Sequence, residues 1–148
     1  MAAFLLRLRT LLIALWLGLV VTLAGVAAPT AFALLERTQA GLVAGRMFGV
    51  EAYVGLALAV LLFLIERRRA GQRAAAGQGS VLSAELLLLL GALFCTVLGY
   101  FALQPLMAAA RLGQGAYSFG LLHGVSSALF ALKGLLLLAL LWRVSAPA

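Results

Sequence analysis

Four long apolar blocks, separated by short polar segments, make up most of this sequence. The blocks cover residues 11–34, 44–65, 82–105 and 119–142. Each is close to the ~20 residues that a helix needs to cross about 30 Å of hydrocarbon. None shows the polar and apolar alternation of a membrane β-strand. The pattern therefore predicts an all-α fold, in which residues 1–148 form a single transmembrane domain built as a four-helix bundle.

Composition agrees with a membrane protein and argues against a soluble one. Hydrophobic residues make up 66% of the chain and charged residues only 10%. A soluble domain needs a substantially polar exterior, which this composition cannot supply. The net charge of +7 comes from arginines grouped between the apolar blocks, which is typical of topology determinants rather than of nucleic-acid surfaces. We expect a multi-pass protein whose partner is the lipid bilayer, with no role in nucleic-acid binding.

The distribution of arginines predicts the orientation of the bundle. Four spans place the arginines in two groups, one on each side of the membrane. One side carries Arg7, Arg9, Arg67, Arg68, Arg69, Arg73 and Arg143, and the other carries Arg37, Arg46 and Arg111. This bias places both termini and the segment 66–81 in the cytoplasm. That segment is rich in Ala, Gly and Gln, which predicts a flexible loop. Its arginines would either anchor the topology or bind anionic headgroups.

Two further features of the chain bear on its organisation. The residues Thr30-Ala31-Phe32-Ala33 resemble a signal-peptidase site, but the apolar run before them is longer than the usual ~7–15 residues. We therefore expect the first span to be retained. A weak repeat also relates the two halves, since Pro29 and then Arg37 in the first half match Pro105 and then Arg111 in the second. The alternative is chance similarity between apolar helices.

The polar residues of the last two spans fall on one face of each helix. At 100° per residue, those of the fourth span lie within an arc of about 120°, and those of the third within about 100°. Lipid cannot satisfy these groups, so the two stripes are expected to face each other inside the bundle. The fourth-span stripe comprises His123, Ser126, Ser127, Phe130 and Lys133, and the third-span stripe comprises Glu85, Thr96, Tyr100 and Gln104.

A candidate ligand site follows from the polar groups of the predicted outer half. Glu51 is expected to contact His123 or Gln104 across the bundle, because Arg46 lies about 140° away on the same helix. Lys133 lies near the bilayer middle, where it would either snorkel inward, stay neutral, or bind an anion or a lipid headgroup. The candidate ligand-binding residues are His123, Ser126, Ser127, Glu51, Arg46, Gln104 and Lys133.

The chain offers little for metal or catalytic chemistry. His123 is its only histidine and Cys95 its only cysteine. A lone histidine makes a poor metal site, so no metal is expected, although it could act as a single axial haem ligand. The alternative is a hydrogen-bonded packing residue. No Ser–His–acid triad with an oxyanion hole can be assembled, so we expect neither an enzyme nor a resident cofactor.

Glycines at intervals of four residues predict close helix contacts. Gly41, Gly45 and Gly49 have this spacing, as do Gly120 and Gly124. Small residues at this interval let two helix backbones approach each other closely. They would form either a homodimer or partner interface, or packing contacts within the bundle.

With these residues laid out, the chain resembles a known family. The matching pieces are Leu15-Trp16-Leu17-Gly18, Ala28-Pro29 with Phe32, Ala44-Gly45-Arg46-Met47-Phe48, and Leu122-His123-Gly124-Val125-Ser126. They resemble the bacterial membrane proteins called domain of unknown function 4149, related to eukaryotic transmembrane protein 205. The resemblance implies a four-helix protein of the bacterial inner membrane. It implies no established reaction, cofactor or catalytic residue.

Three functions remain open on the sequence. The first is a non-enzymatic protein that binds a small ligand, lipid or partner through the outer polar cluster. The second is a haem-binding or redox protein that uses His123. The third is a small transporter or ion pathway, acting as a dimer, that follows the stripe from His123 to Lys133. A polar path continuing past Lys133 would support transport, and an apolar plug there would count against it.

Overall fold

Four long helices form the structure, a computed structural model that describes residues 2–145. Over these residues it contains no strand, so the predicted all-α fold is confirmed, while residues 1 and 146–148 of the predicted domain lie outside the description. All four helices are long and apolar enough to cross a membrane. They are Phe4–Leu34, Arg37–Ala75, Ala84–Arg111 and Phe119–Ser145, called spans 1 to 4 below.

Spans 1 and 3 are each interrupted by a π-helical turn, whereas spans 2 and 4 are continuous α-helices. In chain order the elements are α1 (Ala2–Thr22), π1 (Leu23–Ala27), α2 (Ala28–Leu34), α3 (Arg37–Ala75), α4 (Ala84–Thr96), π2 (Val97–Ala102), α5 (Leu103–Arg111) and α6 (Phe119–Ser145).

The predicted loop 66–81 is wrong over residues 66–75, because α3 continues to Ala75. Glu66 and Ala70 are buried against the bundle, and the Glu66 carboxylate accepts a hydrogen bond at 3.0 Å from Nη1 of Arg9 in α1. Ala, Arg and Gln are also good helix formers. The composition that suggested a flexible linker therefore suits a helix that projects beyond the hydrocarbon.

A glycine ends this long helix. Gly77 adopts a positive φ of 70°, and the N–H of Gln78 donates to the carbonyl of Arg73 at 2.8 Å. This is the Schellman arrangement, in which a residue in the left-handed region closes the last turn and satisfies a free carbonyl. The next helix begins at Ala84, where Ser83 Oγ accepts from the N–H of Leu86.

The helices pack closely at one end of the bundle and separate at the other. At the terminal end, which holds the start of α1 and the end of α6, each span packs on the next, and span 4 packs on span 1. At the opposite, hairpin end, α2 packs on α3 and α5 packs on α6. As far as the chain is described, no Cα of α2 lies within 8 Å of α6, nor any of α5 within 8 Å of α3. The bundle therefore opens into two hairpins, spans 1–2 and spans 3–4.

The π-helical turns lie where the two hairpins separate. Each precedes a proline, Pro29 in α2 and Pro105 in α5. Proline lacks the N–H that would bond four residues back, and its ring crowds that carbonyl, so the preceding turn rearranges. Prolines and π turns are the usual sites of helix bending. The order of helix, π turn and proline-containing helix thus recurs in both hairpins; a repeat relating the two halves stays a prediction.

An apolar core fills the terminal half of the bundle. Trp16 is its largest member and is fully buried. Gly55 on α3 makes room for this indole, because a Cβ at Gly55 would lie 2.8 Å from Trp16 Nε1. The core residues are Ile13, Trp16, Val20, Ala59, Leu62, Leu89, Ala92, Leu137 and Leu140.

We expect Gly55→Ala to destabilise the bundle by about 1–3 kcal/mol, because the new methyl group overpacks against a rigid, buried ring. The measurement is the thermal unfolding midpoint of the purified protein in mild detergent. Gly45→Ala is the matched control on the same helix, since no atom lies within 4 Å of a Cβ there. Equal midpoints for the two variants would show that Trp16 does not need the space at Gly55.

Candidate functional site

A cavity of about 760 Å³ lies between the two hairpins and is lined by residues of all four spans. Its walls are mostly apolar, with Phe48, Met107 and Phe130 among them. Its charged groups lie at its deep end, called the floor, and at the hairpin end, called the mouth. The volume falls within the ~300–1,000 Å³ range of small-molecule sites.

An ion pair between span 2 and span 4 forms the floor. Lys133 Nζ donates to both oxygens of Glu51, at 2.9 Å and 2.7 Å. Trp16 Nε1–H of span 1 donates to Glu51 Oε1 at 3.1 Å. Glu51 is 1% exposed and Lys133 2%, and the Lys133 ammonium also lies 4.3 Å from the centroid of the Phe130 ring. Both charged groups are therefore buried, and each interacts with the other and with an aromatic side chain.

The predicted contact of Glu51 with His123 or Gln104 is wrong. The sequence placed Glu51 near the outer end of span 2 because the apolar block begins at residue 44. The helix begins at Arg37 instead, so Glu51 lies about 21 Å along it at 1.5 Å per residue. Lys133 lies at the same depth from Phe119, where α6 begins. The two side chains meet, and Lys133 has no need to snorkel.

The π turn of span 3 shapes one wall of the cavity. The N–H of Leu103 donates to the carbonyls of Leu98 and Tyr100, rather than to that of Gly99 as an α-helix would require. The Gly99 carbonyl accepts instead from Ser126 Oγ of span 4, at 2.7 Å. A Cβ at Gly99 would lie 3.2 Å from that of Leu129. The π turn therefore provides a hydrogen-bond acceptor at a point where spans 3 and 4 approach closely.

Basic and aromatic residues surround the mouth. Arg37 and Arg111, which are both exposed, line the cavity there. The Arg111 guanidinium lies 4.7 Å from the centroid of the Phe119 ring. The His123 ring is stacked on Phe119 at a centroid distance of 5.6 Å and an angle of 10°. Since Glu51 and Lys133 neutralise each other at the floor, the mouth arginines make the cavity attractive to anions.

Six of the seven candidate residues line this one cavity. Arg46 is the exception: it is exposed and lies outside the lining, as expected from its angle of about 140° to Glu51 on the helix. The six residues are Glu51, Gln104, His123, Ser126, Ser127 and Lys133. Whether they bind a ligand stays a prediction.

The two polar stripes face each other as predicted, apart from Glu85. All five residues of the fourth-span stripe line the cavity, together with Thr96, Tyr100 and Gln104 of the third-span stripe. Glu85 lies at the terminal end, where it accepts a hydrogen bond from Arg143 Nε at 3.1 Å. Glu85 therefore does not contact Lys133 of the facing stripe. About ten residues of helix separate Glu85 from the level of the floor, where Lys133 lies.

Sequence reasoning missed three residues of the cavity and its floor. Trp16 was detectable, because a buried indole N–H needs an acceptor and Glu51 offers a carboxylate on a neighbouring span. Arg37 and Arg111 were interpreted only as topology determinants. Their matching positions, each after the proline of its hairpin, were the signal that both belong to the hairpin end of the bundle, where both line the cavity.

The regularly spaced glycines do not act alike. A Cβ at Gly49 would lie 2.6 Å from Tyr100 Oη, so this glycine allows spans 2 and 3 to pack. No atom lies within 4 Å of a Cβ at Gly41, Gly45, Gly120 or Gly124. Packing within the bundle therefore does not explain those four. A homodimer or partner interface formed by them stays a prediction.

Metal ligands do not gather around the histidine. Over residues 2–145, no three His, Cys, Asp or Glu side chains lie together as a metal site would require. His123 is exposed at the mouth, and Cys95 is a buried free thiol in span 3. Haem ligation by His123 stays a prediction.

Comparison with known proteins identifies one matching family. The model described as Domain of unknown function (DUF4149) matches residues 11–116. The matched range includes the segments Leu15–Gly18 and Ala44–Phe48, but it ends before Leu122–Ser126. No curated protein and no solved structure matches the chain.

We expect Lys133→Met to destabilise the protein by about 3–5 kcal/mol, because it leaves the Glu51 carboxylate buried without its counter-ion. Adding Glu51→Gln should recover much of that loss, since the amide is neutral and its oxygen can still accept from Trp16. The midpoints of thermal unfolding in detergent, measured as a double-mutant cycle, test this. Simple additivity of the two changes would contradict a coupled ion pair.

A second prediction concerns the link between spans 3 and 4. Ser126→Ala should cost about 1 kcal/mol, because it leaves the Gly99 carbonyl without the Ser126 donor. Ser127→Ala is the control, since Ser127 is exposed on the same turn. The measurement is the thermal unfolding midpoint of each variant. An equal effect of both would show that the hydrogen bond from Ser126 to the Gly99 carbonyl does not stabilise the protein.

Proposed function

Since the chain belongs to the DUF4149 family, whose description names no activity, we propose its function from the cavity between its hairpins. The protein is a non-enzymatic, multi-pass protein of the bacterial inner membrane, with both termini in the cytoplasm. It binds an amphipathic molecule with an acidic headgroup, such as a fatty acid or an anionic lipid. The relation to eukaryotic transmembrane protein 205 is proposed on the resemblance alone.

One observation carries this proposal: a long apolar cavity has two arginines at its mouth. Arg37 and Arg111 carry no carboxylate partner among the ion pairs of residues 2–145. Guanidinium groups bind carboxylates and phosphates through paired hydrogen bonds. An acidic headgroup between these arginines would leave its apolar tail pointing toward the floor.

The separation of the hairpins supports entry from the bilayer. The backbones of α2 and α6 stay more than 8 Å apart, as do those of α3 and α5, so an acyl chain entering from the side would have to displace only side chains. The distance along α6 from Phe119 to Lys133 is about 21 Å, enough for a long acyl chain. The Glu51–Lys133 pair would then form the deep boundary of the ligand.

An ion pathway is less well supported. Below the floor, the apolar core fills the bundle, and Leu62, Leu137 and Leu140 of that core are fully buried. A transporter would need a polar path past Lys133, and this layer is the plug that counts against one. No contact of residues 2–145 favours haem ligation over ligand binding.

We expect the double variant Arg37→Gln and Arg111→Gln to bind oleic acid about tenfold more weakly than wild type, since hydrogen bonds to charged groups contribute ~1.5–3 kcal/mol. Oleyl alcohol, which lacks the carboxylate, should bind both proteins equally weakly. The measurement is native mass spectrometry of the purified chain titrated with each probe. The control is Arg46→Gln, which removes an exposed arginine outside the cavity.

Blocking the cavity gives an independent check. Gly45 lines the cavity and has open space around its Cβ position, whereas Gly18 has open space but lies outside the lining. Gly45→Leu should therefore abolish oleic acid binding, and Gly18→Leu should preserve it. Unchanged binding in Gly45→Leu, or equal loss in Arg46→Gln and in the double arginine variant, would reject the proposed site.

A further inference from the structure

A second cavity, of about 700 Å³, lies at the terminal end of the bundle. It is separate from the hairpin-end cavity, since the apolar core fills the bundle between them. We infer that this terminal cavity binds a phosphate group, carried by an anionic phospholipid or present as a free anion. Its charged lining residues are Arg7, Arg9, Arg69, Arg73, Arg143 and Glu85.

The charges of the terminal cavity are strongly unbalanced. Two arginines have carboxylate partners, since Arg9 pairs with Glu66 at 3.0 Å and Arg143 with Glu85 at 3.1 Å. The guanidinium groups of Arg7, Arg69 and Arg73 belong to none of the ion pairs found over residues 2–145. Like charges gathered around one cavity repel each other, and an anion with several acceptor oxygens relieves that repulsion.

Two buried donors in this cluster also need acceptors. Arg9 Nε and Arg69 Nη1 are buried, and neither donates to any acceptor of the described chain. A buried N–H without an acceptor costs about 1–3 kcal/mol, and more when the group is charged. A phosphate provides oxygens in several directions, which suits guanidinium groups that approach from different helices.

Helix geometry distinguishes the arginines of this cavity from their neighbours. Arg69 and Arg73 are four residues apart on α3, so they lie on the same face, one turn apart. Arg67 and Arg68 are exposed on the same stretch of helix and do not line the cavity. The chain thus offers two pairs of arginines with equal charge but different placement.

The rim of the cavity favours a lipid as the source of the phosphate. Leu6 and Leu11 line it and are 40% and 60% exposed, so acyl chains can lie beside the headgroup. The positive-inside rule predicts that this end faces the cytoplasm, and basic pockets between helices on that side suit anionic headgroups.

The experiment compares Arg69→Gln/Arg73→Gln with Arg67→Gln/Arg68→Gln, which lose the same charge from the same helix. Each purified chain is titrated in neutral detergent with phosphatidylglycerol, with phosphatidylcholine of the same acyl chains, and with inorganic phosphate. Binding is followed by native mass spectrometry and by the shift of the unfolding midpoint. We expect wild type and the Arg67/Arg68 variant to bind one phosphatidylglycerol, and the Arg69/Arg73 variant to bind it at least ~10-fold more weakly.

Each outcome bears on the inference. Inorganic phosphate that binds alone and displaces phosphatidylglycerol, with the same dependence on Arg69 and Arg73, supports the site and assigns it to the free anion. Equal weakening in both double variants shows only diffuse attraction to charge and overturns the inference. Equal binding of phosphatidylcholine, or a wild type that binds neither phosphatidylglycerol nor inorganic phosphate, also overturns it.

A third variant keeps the inference testable if the Arg69/Arg73 double variant does not fold. If Arg69→Gln/Arg73→Gln does not fold, Arg7→Gln replaces it, because Arg7 is exposed and lies on a different helix of the same cavity. It should weaken phosphatidylglycerol binding without lowering the unfolding midpoint of the lipid-free protein, because it removes one of the charges that repel each other around the cavity. Full binding by Arg7→Gln would then count against the inference.

Discussion

The arrangement of the bundle depends on the ion pair between Glu51 and Lys133. A single charge in the interior of a bilayer is costly, so each of these residues needs the other. They lie on spans 2 and 4, which are diagonal in the ring of helices and share no close backbone contact. Long side chains therefore join the two hairpins, and Trp16 Nε1 extends the connection to span 1.

The same pair divides the bundle into two regions. Below it, small residues allow close packing, as Gly55 does for Trp16. Above it, the proline-linked π turns of spans 1 and 3 accompany the separation of the hairpins. The ionic contact across the diagonal links the hairpins at the upper limit of their packed half and leaves the space above it unfilled. The cavity thus follows from the ion pair and the π turns together.

The sequence was sufficient for the helices and for the faces that line the cavity, because apolar length and polar stripes are local properties of a helix. It was insufficient for the partner of Glu51. Hydropathy marks the hydrocarbon core rather than the helix ends, so the start of α3 at Arg37 and its extension to Ala75 were not visible. Counting the depth of Glu51 from the start of the apolar block, instead of from Arg37, placed it too close to the outer end of span 2. The contact between Arg9 and Glu66 was missed because it joins helices that extend beyond the apolar blocks.

The most direct test of this account is a charge swap at the floor of the cavity. The variant Glu51→Lys/Lys133→Glu should fold and unfold cooperatively in detergent, near the wild-type midpoint but lower because the Trp16 donor then faces an ammonium. Each single swap places two like charges together and should fail to give a folded protein. If the double swap is no more stable than the single swaps, the two hairpins are not held together by this ion pair.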